Sequence, residues 1–223
     1  MLGIIGGTAL LQARLPPLEQ KILATPFGPA EIYTGDIAIL KRHQHNTPPH
    51  RINHRANLAA CKIAGVDRLI LIGSVGSMKE KIAPGSILLA TGFFSPWNIP
   101  TLHDHDVCHV PPAIDAALTD KLAGLIPEAK KGVYFQTRGP RFETRSEIAK
   151  FADVADVVGM TAASEITLAN ELGIPTAVLC TVDNYANGIG GAAAPAYDEI
   201  IAIAKQNGDT VTNLITKIVE TFA

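Results

Sequence analysis

Cysteine is scarce in this sequence, aromatic side chains are few, and neither sign of charge dominates. The three cysteines in 223 residues, Cys61, Cys108 and Cys180, are odd in number and form no C-x-x-C pair, so neither a disulfide framework nor a structural zinc site is indicated. A reducing compartment is implied. Aromatics make up 5% and charged residues 18%, with a net charge of -2 and neither a basic run nor an interleaved aromatic stripe. A nucleic-acid or anionic-membrane partner therefore has no electrostatic support. No apolar run approaches the roughly 20 residues needed to cross a bilayer, and the opening Met1-Leu2-Gly3-Ile4-Ile5-Gly6-Gly7 carries no basic leader. The expectation is a soluble cytoplasmic protein acting on a small molecule.

What the sequence does hold is apolar substance: 47% of residues are hydrophobic, enough to bury the core of one domain spanning residues 1–223. Short apolar runs at 2–5, 37–40, 68–72, 86–90, 133–136, 154–158 and 176–182 read as buried strands. Segments with helical spacing separate several of them, at 53–64, 112–125, 144–151, 162–172 and 195–222. This alternation predicts an α/β sheet with helices on both faces and ligands at the carboxyl ends of the strands. There is no internal repeat, and the small-residue stretch Gly188-Ile189-Gly190-Gly191-Ala192-Ala193-Ala194-Pro195 reads as a loop before the last helix.

All seven histidines fall in two short windows. In the first, Arg42-His43-Gln44-His45, the apolar strand ends and Arg42 stands beside His43. A guanidinium that keeps its charge offers a fork of donors matched to phosphate, and the imidazole is read as a further donor. Gly6-Gly7-Thr8 follows the first strand, and Ile72-Gly73-Ser74-Val75-Gly76-Ser77 forms a second glycine-rich turn. Together these make a divided anion cradle. The first turn lacks both the third glycine of the dinucleotide fingerprint and the Gly-Lys-Ser/Thr ending of a P-loop, so neither NAD nor ATP is supported.

The stretches Gly139-Pro140-Arg141-Phe142-Glu143-Thr144 and Val158-Gly159-Met160-Thr161 occur in order with Gly6-Gly7-Thr8, Arg42-His43 and Arg55-Ala56-Asn57. That series resembles the trimeric purine nucleoside phosphorylases, including their methylthioadenosine phosphorylase branch, over nearly the whole chain. The resemblance implies a single domain with a mixed, twisted central sheet flanked by helices. It further implies a homotrimer that cleaves an N-glycosidic bond with inorganic phosphate, phosphate being a co-substrate and no cofactor or metal being required. By motif match, Thr8, Arg42, His43, Ser74 and Thr161 would hold phosphate, Met160 would pack on the ribose, and Phe142 would face the base. Asn184 and His43 would act on the reacting groups.

Substrate choice rests on two places. Asn184 falls where the resemblance places an asparagine in 6-oxopurine enzymes and an aspartate in 6-aminopurine enzymes, whereas a shift of one residue would put Asp183 there. Tyr185 and Ala186 complete this base-side set, and Glu143 follows the 6-oxo pattern. Val107-Cys108-His109-Val110-Pro111 resembles the segment flanking a 5'-methylthio group, with Tyr197 near the position of a 5'-hydroxyl ligand. These features together point to S-methyl-5'-thioinosine, with methylthioadenosine or general 6-oxopurine nucleosides as alternatives. The loop after His43 is contracted, and Gln44 replaces the usual glycine. Other readings are a hydrolytic nucleosidase, a nucleoside sensor without turnover, and a metal set of His103, Asp104, His105 and His109, for which the proline-flanked loop is a poor scaffold.

Overall fold

The computed structural model describes residues 1–10, 13–97, 99–194 and 196–222, without the side chains of Ala9, Tyr197, Ile200 and Ala204. Its strands are β1 (Leu2–Gly6), β2 (Glu19–Thr25), β3 (Gly28–Thr34), β4 (Ala38–Lys41), β5 (Arg68–Ser77), β6 (Ile87–Phe94), β7 (Lys130–Gln136), β8 (Val157–Gly159) and β9 (Thr176–Tyr185). Its α-helices are α1 (His54–Ile63), α2 (Ala116–Leu125), α3 (Arg145–Phe151), α4 (Ala162–Glu171), α5 (Tyr197–Gln206) and α6 (Gly208–Phe222). Each expected strand has a counterpart, although the one expected over 154–158 is confined to Val157–Gly159, with turn and bend at 154–156. The expected helix over 195–222 is two helices, because Asn207 caps the first and Gly208 opens the second.

The strands form one mixed sheet in the order β2-β3-β4-β1-β5-β8-β7-β6-β9, and β9 returns to pair with β5. Five strands therefore close into a ring, and the other four extend from β5 as an open wing. Both β5 and β9 are long, at 10 residues each, which lets β5 serve wing and ring together. The hairpin of β2 and β3 was not expected from the apolar runs. Its first strand is largely exposed, so it carries alternating polarity too weak to stand out. The Thr25 hydroxyl closes the turn by donating to Gly28 O and accepting from Phe27 N.

Two buried cores cover the two faces. One packs Leu58 and Cys61 of α1 and Ala162, Ile166 and Ala169 of α4 against Ile5, Leu40 and Leu71. The other packs Leu122 of α2 and Val211, Ile215 and Ile218 of α6 against Ile4, Ile39 and Ile70. Side chains that alternate along β1, β4 and β5 thus enter opposite cores, which is why these strands read as unbroken apolar runs. Among the described residues, no helix is long and apolar enough to cross a membrane.

The start of α4 is held in an unusual way. Thr161 occupies the N-cap, yet its hydroxyl makes no capping bond. The amides are satisfied from β7 instead: Tyr134 Oη accepts from Thr161 N at 3.1 Å and Ala162 N at 3.2 Å, and Gln136 Oε1 accepts from Ser164 N at 3.1 Å. A Cβ on Gly159 would stand 2.5 Å from Tyr134 Oη, so that glycine lets the tyrosine reach the helix end. The Thr161 hydroxyl is thereby spared for another partner. Tyr134→Phe would leave two buried amides without an acceptor, at a cost of about 1–3 kcal/mol. The melting temperature should fall by roughly 3–10 °C; calorimetry showing no change would mean the amides find another acceptor.

Candidate active site

The carboxyl ends of β1, β4, β7 and β8 converge on the carboxyl-terminal parts of β5 and β9, and a cavity of about 420 Å³ opens between them. That volume is typical of small-molecule sites. All five expected anion residues, Thr8, Arg42, His43, Ser74 and Thr161, border it, although they come from four separate parts of the chain. Phe142, Glu143, Met160, Asp183, Asn184 and Ala186 also border it. Residues on the same wall that the sequence reading did not single out include Asn46, Thr47, Val75 and Asn187.

Tyr185 and His109 are not on this wall. The Tyr185 hydroxyl donates to Glu80 O at 3.1 Å, on the other side of its strand from Asn184. His109 is exposed and lies in a segment tied to the far end of α4. There Ala113 N donates to Asn170 Oδ1 at 2.8 Å and Leu102 N donates to Glu171 Oε2 at 2.7 Å. The cavity lies at the opposite end of that helix, about 15 Å away at 1.5 Å per residue. Tyr197 opens α5, and its side chain lies outside the described residues.

Arg42 does not present a free fork. It is only 3% exposed, and it grips Glu165, which is fully buried. Nε donates to Oε1 at 2.6 Å and Nη2 to Oε2 at 2.7 Å, while Nη1 donates to Ile72 O at 3.1 Å. Three of five N–H bonds are thus spent inside the protein, leaving one on Nη1 and one on Nη2. Burial works against the charge on both partners, but their mutual attraction keeps Arg42 protonated and holds the Glu165 carboxyl at about 2. Sequence reasoning missed Glu165. Its one signal was a carboxylate four residues after Thr161, the sole charge in α4 before Glu171 at its end. Gly7 permits the close approach, since a Cβ there would lie 2.9 Å from Arg42 Nη1 and 3.1 Å from His43 Nε2.

His43 also departs from expectation. Its Nδ1 lies 2.8 Å from Thr47 O, and a carbonyl can only accept, so Nδ1 carries the proton. Burial lowers the imidazole's affinity for a second proton, and neighbouring Arg42 lowers it further, against the pull of the Thr47 carbonyl. The ring is neutral at pH 7, and Nε2 is an acceptor rather than the expected donor. The contracted loop that supplies Thr47 is braced by Gln44, whose amide pairs with Glu31 N at 2.8 Å and Glu31 O at 2.9 Å. Gln44 thus acts as an extra rung on β3. His45 and Asn46 pay for the tight path with φ of 54° and 59°.

Base-side candidates sit on a β-bulge. Val75 pairs with Val182 and Gly76 with Asn184, which leaves Asp183 as the unopposed extra residue. Neighbours in a regular strand point to opposite faces, so the bulge is what allows Asp183 and Asn184 to line one cavity. Asn184 Nδ2 donates to Tyr185 O at 2.7 Å, which fixes the amide and leaves one N–H and Oδ1 unused. The question of whether Asp183 or Asn184 takes the base-side position is thereby changed, because both face the cavity. Glu143 accepts from the Thr137 hydroxyl, and burial raises its carboxyl above the ordinary range. Met160 can pack against the backbone of Gly139, at φ 59°, because a Cβ there would stand 2.5 Å from its Sδ.

The candidate metal ligands lie elsewhere. Asp104 is taken by Arg55 in a two-bond pair at 2.7 and 3.2 Å. His103 lies 2.9 Å from Asp106 Oδ2, and these two with Cys108 bring possible ligand atoms within 4.8 Å of one another. That set differs from the one expected, and the His103–Asp106 contact draws two of its three members together.

Asp183 is 5% exposed, and burial raises its carboxyl from 3.8 to about 6, with the Ser74 and Thr181 hydroxyls opposing in part. They do so from positions that do not meet hydrogen-bond geometry, because Asp183 Oδ2 and Ser74 Oγ are both buried without a partner. The native state therefore holds an extra proton between pH 3.8 and about 6, so stability falls as pH rises through that window and stays lower above it. The loss is on the order of 3 kcal/mol. Asp183→Asn should raise the melting temperature at pH 8 and leave it nearly unchanged at pH 4; an equal effect at both pH values would show that Asp183 does not titrate as its burial requires.

A family model for the "Phosphorylase superfamily" matches residues 1–220. The chain is 41% identical to an Archaeoglobus fulgidus protein named "Probable 6-oxopurine nucleoside phosphorylase", over 99% of this chain and 96% of the relative. It is 37% identical to a Methanocaldococcus jannaschii protein named "Probable S-methyl-5'-thioinosine phosphorylase", over 100% of this chain and 91% of the relative. Among solved structures, methylthioadenosine phosphorylase from Schistosoma mansoni in complex with adenine superposes with a TM-score of 0.89 at 22% identity, covering 98% of this chain and 90% of that one. At that identity the superposition speaks for the fold. Sequence, fold and cavity agree, and the chain belongs to the phosphorylase superfamily, on its nucleoside phosphorylase side.

Proposed function

We propose that the protein cleaves a purine nucleoside with inorganic phosphate, S-methyl-5'-thioinosine foremost, giving hypoxanthine and 5-methylthioribose 1-phosphate. The observation that carries this reading is the gathering of Thr8, Arg42, His43, Ser74 and Thr161 on one cavity wall with Asn184. A hydrolytic nucleosidase would have no use for such an anion set.

The chemistry follows from the groups left unused. The two remaining N–H bonds of Arg42, the spared Thr161 hydroxyl and the unpartnered Ser74 hydroxyl hold a phosphate. His43 Nε2 accepts a hydrogen bond from the O–H of monohydrogen phosphate and so turns an oxygen lone pair toward C1 of the sugar. As the C–N bond breaks, the sugar gains oxocarbenium character, which the anion stabilises before its oxygen forms the new bond. The purine leaves with the C–N electron pair and gains a proton, which balances the one that phosphate gave up. Asn184 offers its free N–H to the accumulating charge. The reaction needs neither metal nor organic cofactor.

We further read the protein as a cytoplasmic homotrimer. The 107–111 segment does not reach its own cavity, and Val107 is 91% exposed, with Phe94 and Trp97 also exposed. A neighbouring copy would cover this apolar surface and bring His109 to the 5' side of the substrate. Methylthioadenosine remains the second reading, because the Asp183 carboxyl beside Asn184 can accept from a 6-amino group.

The direct test is purine release from methylthioinosine, methylthioadenosine, inosine and adenosine, each with and without phosphate. Phosphate-dependent release with methylthioinosine preferred is expected. Release without phosphate would mean hydrolysis, and binding without release would mean a sensor. Arg42→Ala should raise the KM for phosphate at least tenfold; an unchanged phosphate dependence would remove Arg42 from the site. Asn184→Asp should move preference toward 6-aminopurine nucleosides, and an unaltered preference would sink the assignment of Asn184 to the base.

A further inference from the structure

Glu165 lies behind the cavity and does not line it, yet it is the most committed polar group near the site. It is fully buried on α4, four residues and about one turn beyond Thr161, so the two side chains share a helix face. One faces the cavity and the other grips Arg42 through both carboxylate oxygens, at 2.6 and 2.7 Å. His54 Nδ1, buried at the start of α1 and without a hydrogen-bond partner, stands 3.6 Å from Glu165 Oε1. The register of α4 is fixed from below by the Tyr134 and Gln136 caps.

We propose that Glu165 is a positioning residue for phosphate, acting through Arg42 by fixing which two N–H bonds of the guanidinium face the cavity. The inference rests on the reading that phosphate binds at Arg42. Three features support it. A buried ion pair contributes little to folding that apolar side chains of similar volume would not, so stability alone is a weak account of this one. The grip takes Nε and one Nη2 hydrogen, and Ile72 O takes one from Nη1, so rotation of the fork is blocked at all three nitrogens. A single helix then sets two contacts to the anion, Thr161 directly and Arg42 at one remove. The carboxylate also balances the guanidinium charge, so the phosphate is held mainly by directed bonds and keeps its negative charge for the developing oxocarbenium.

Glu165→Asp keeps the charge but withdraws it by one carbon. The measurements are KM for phosphate, KM for nucleoside, kcat with both saturating, and the rise in melting temperature caused by inorganic phosphate. The expected result is a phosphate KM raised tenfold or more, a nucleoside KM within twofold of wild type, and a phosphate-induced thermal shift that is largely lost. A variant that is less stable but keeps the wild-type phosphate KM and thermal shift, or one in which both KM values rise together, would reduce Glu165 to a structural part. Glu165→Gln, nearly isosteric and able to hold one donor of the fork, covers the case in which the aspartate variant does not fold; it is expected to raise the phosphate KM by a smaller factor, and an unchanged value overturns the proposal. Wild-type purine release that needs no phosphate would instead defeat the functional reading on which this rests.

Discussion

The parallel pairing of β5 with β9 is the constraint on which the rest depends. It runs from Leu69 opposite Thr176 to Ser77 opposite Tyr185, and it both closes the ring of strands and carries the floor of the cavity. Between Val182 and Asn184 the strand β9 has one residue more than its partner, and the pairing resumes beyond it. A regular ladder would send Asp183 and Asn184 to opposite faces. The bulge delivers both to the cavity, and it does so where a buried carboxyl oxygen has no partner of its own, an arrangement that costs stability.

A second dependence runs through α4. A threonine at an N-cap normally spends its hydroxyl on the helix's own amides. Here β7 supplies the acceptors, which it can do only because β7 and β8 are paired and Gly159 leaves room for the Tyr134 hydroxyl. One turn later the same helix provides the carboxylate that holds Arg42. Polar groups around the cavity therefore divide into two sets. Those that face the protein are satisfied by it, His54 Nδ1 excepted, whereas Ser74 Oγ and Asp183 Oδ2 on the cavity side have no partner within the protein.

Much of this was legible in the chain. Runs such as Ile37-Ala38-Ile39-Leu40 are apolar on both faces because helices cover both sides of the sheet, so strand positions and the α/β class could be read directly. The glycine-bearing motifs were legible for a related reason: Gly7, Gly139 and Gly159 each stand where a Cβ would strike a side chain of the site. The hairpin at 19–34 was not legible, since an exposed edge strand needs no apolar pattern. Nor was the break at Asn207-Gly208, which interrupts a periodicity that continues on either side.

The sequence by itself determined which residues could meet an anion and a purine, because chemical type and motif order are properties of the chain. Only the tertiary structure decided how those residues are spent. A hydrogen bond is directional and each donor is used once, so the role of Arg42 depends on Glu165, 123 positions away. Likewise the acceptor face of His43 depends on the Thr47 carbonyl, and the partnership of Asp183 with Asn184 depends on a register shift against β5. The Arg42–Glu165 pair and the register shift join segments far apart in sequence, and even the four-residue span from His43 to Thr47 closes only because the loop is folded back by Gln44 on β3.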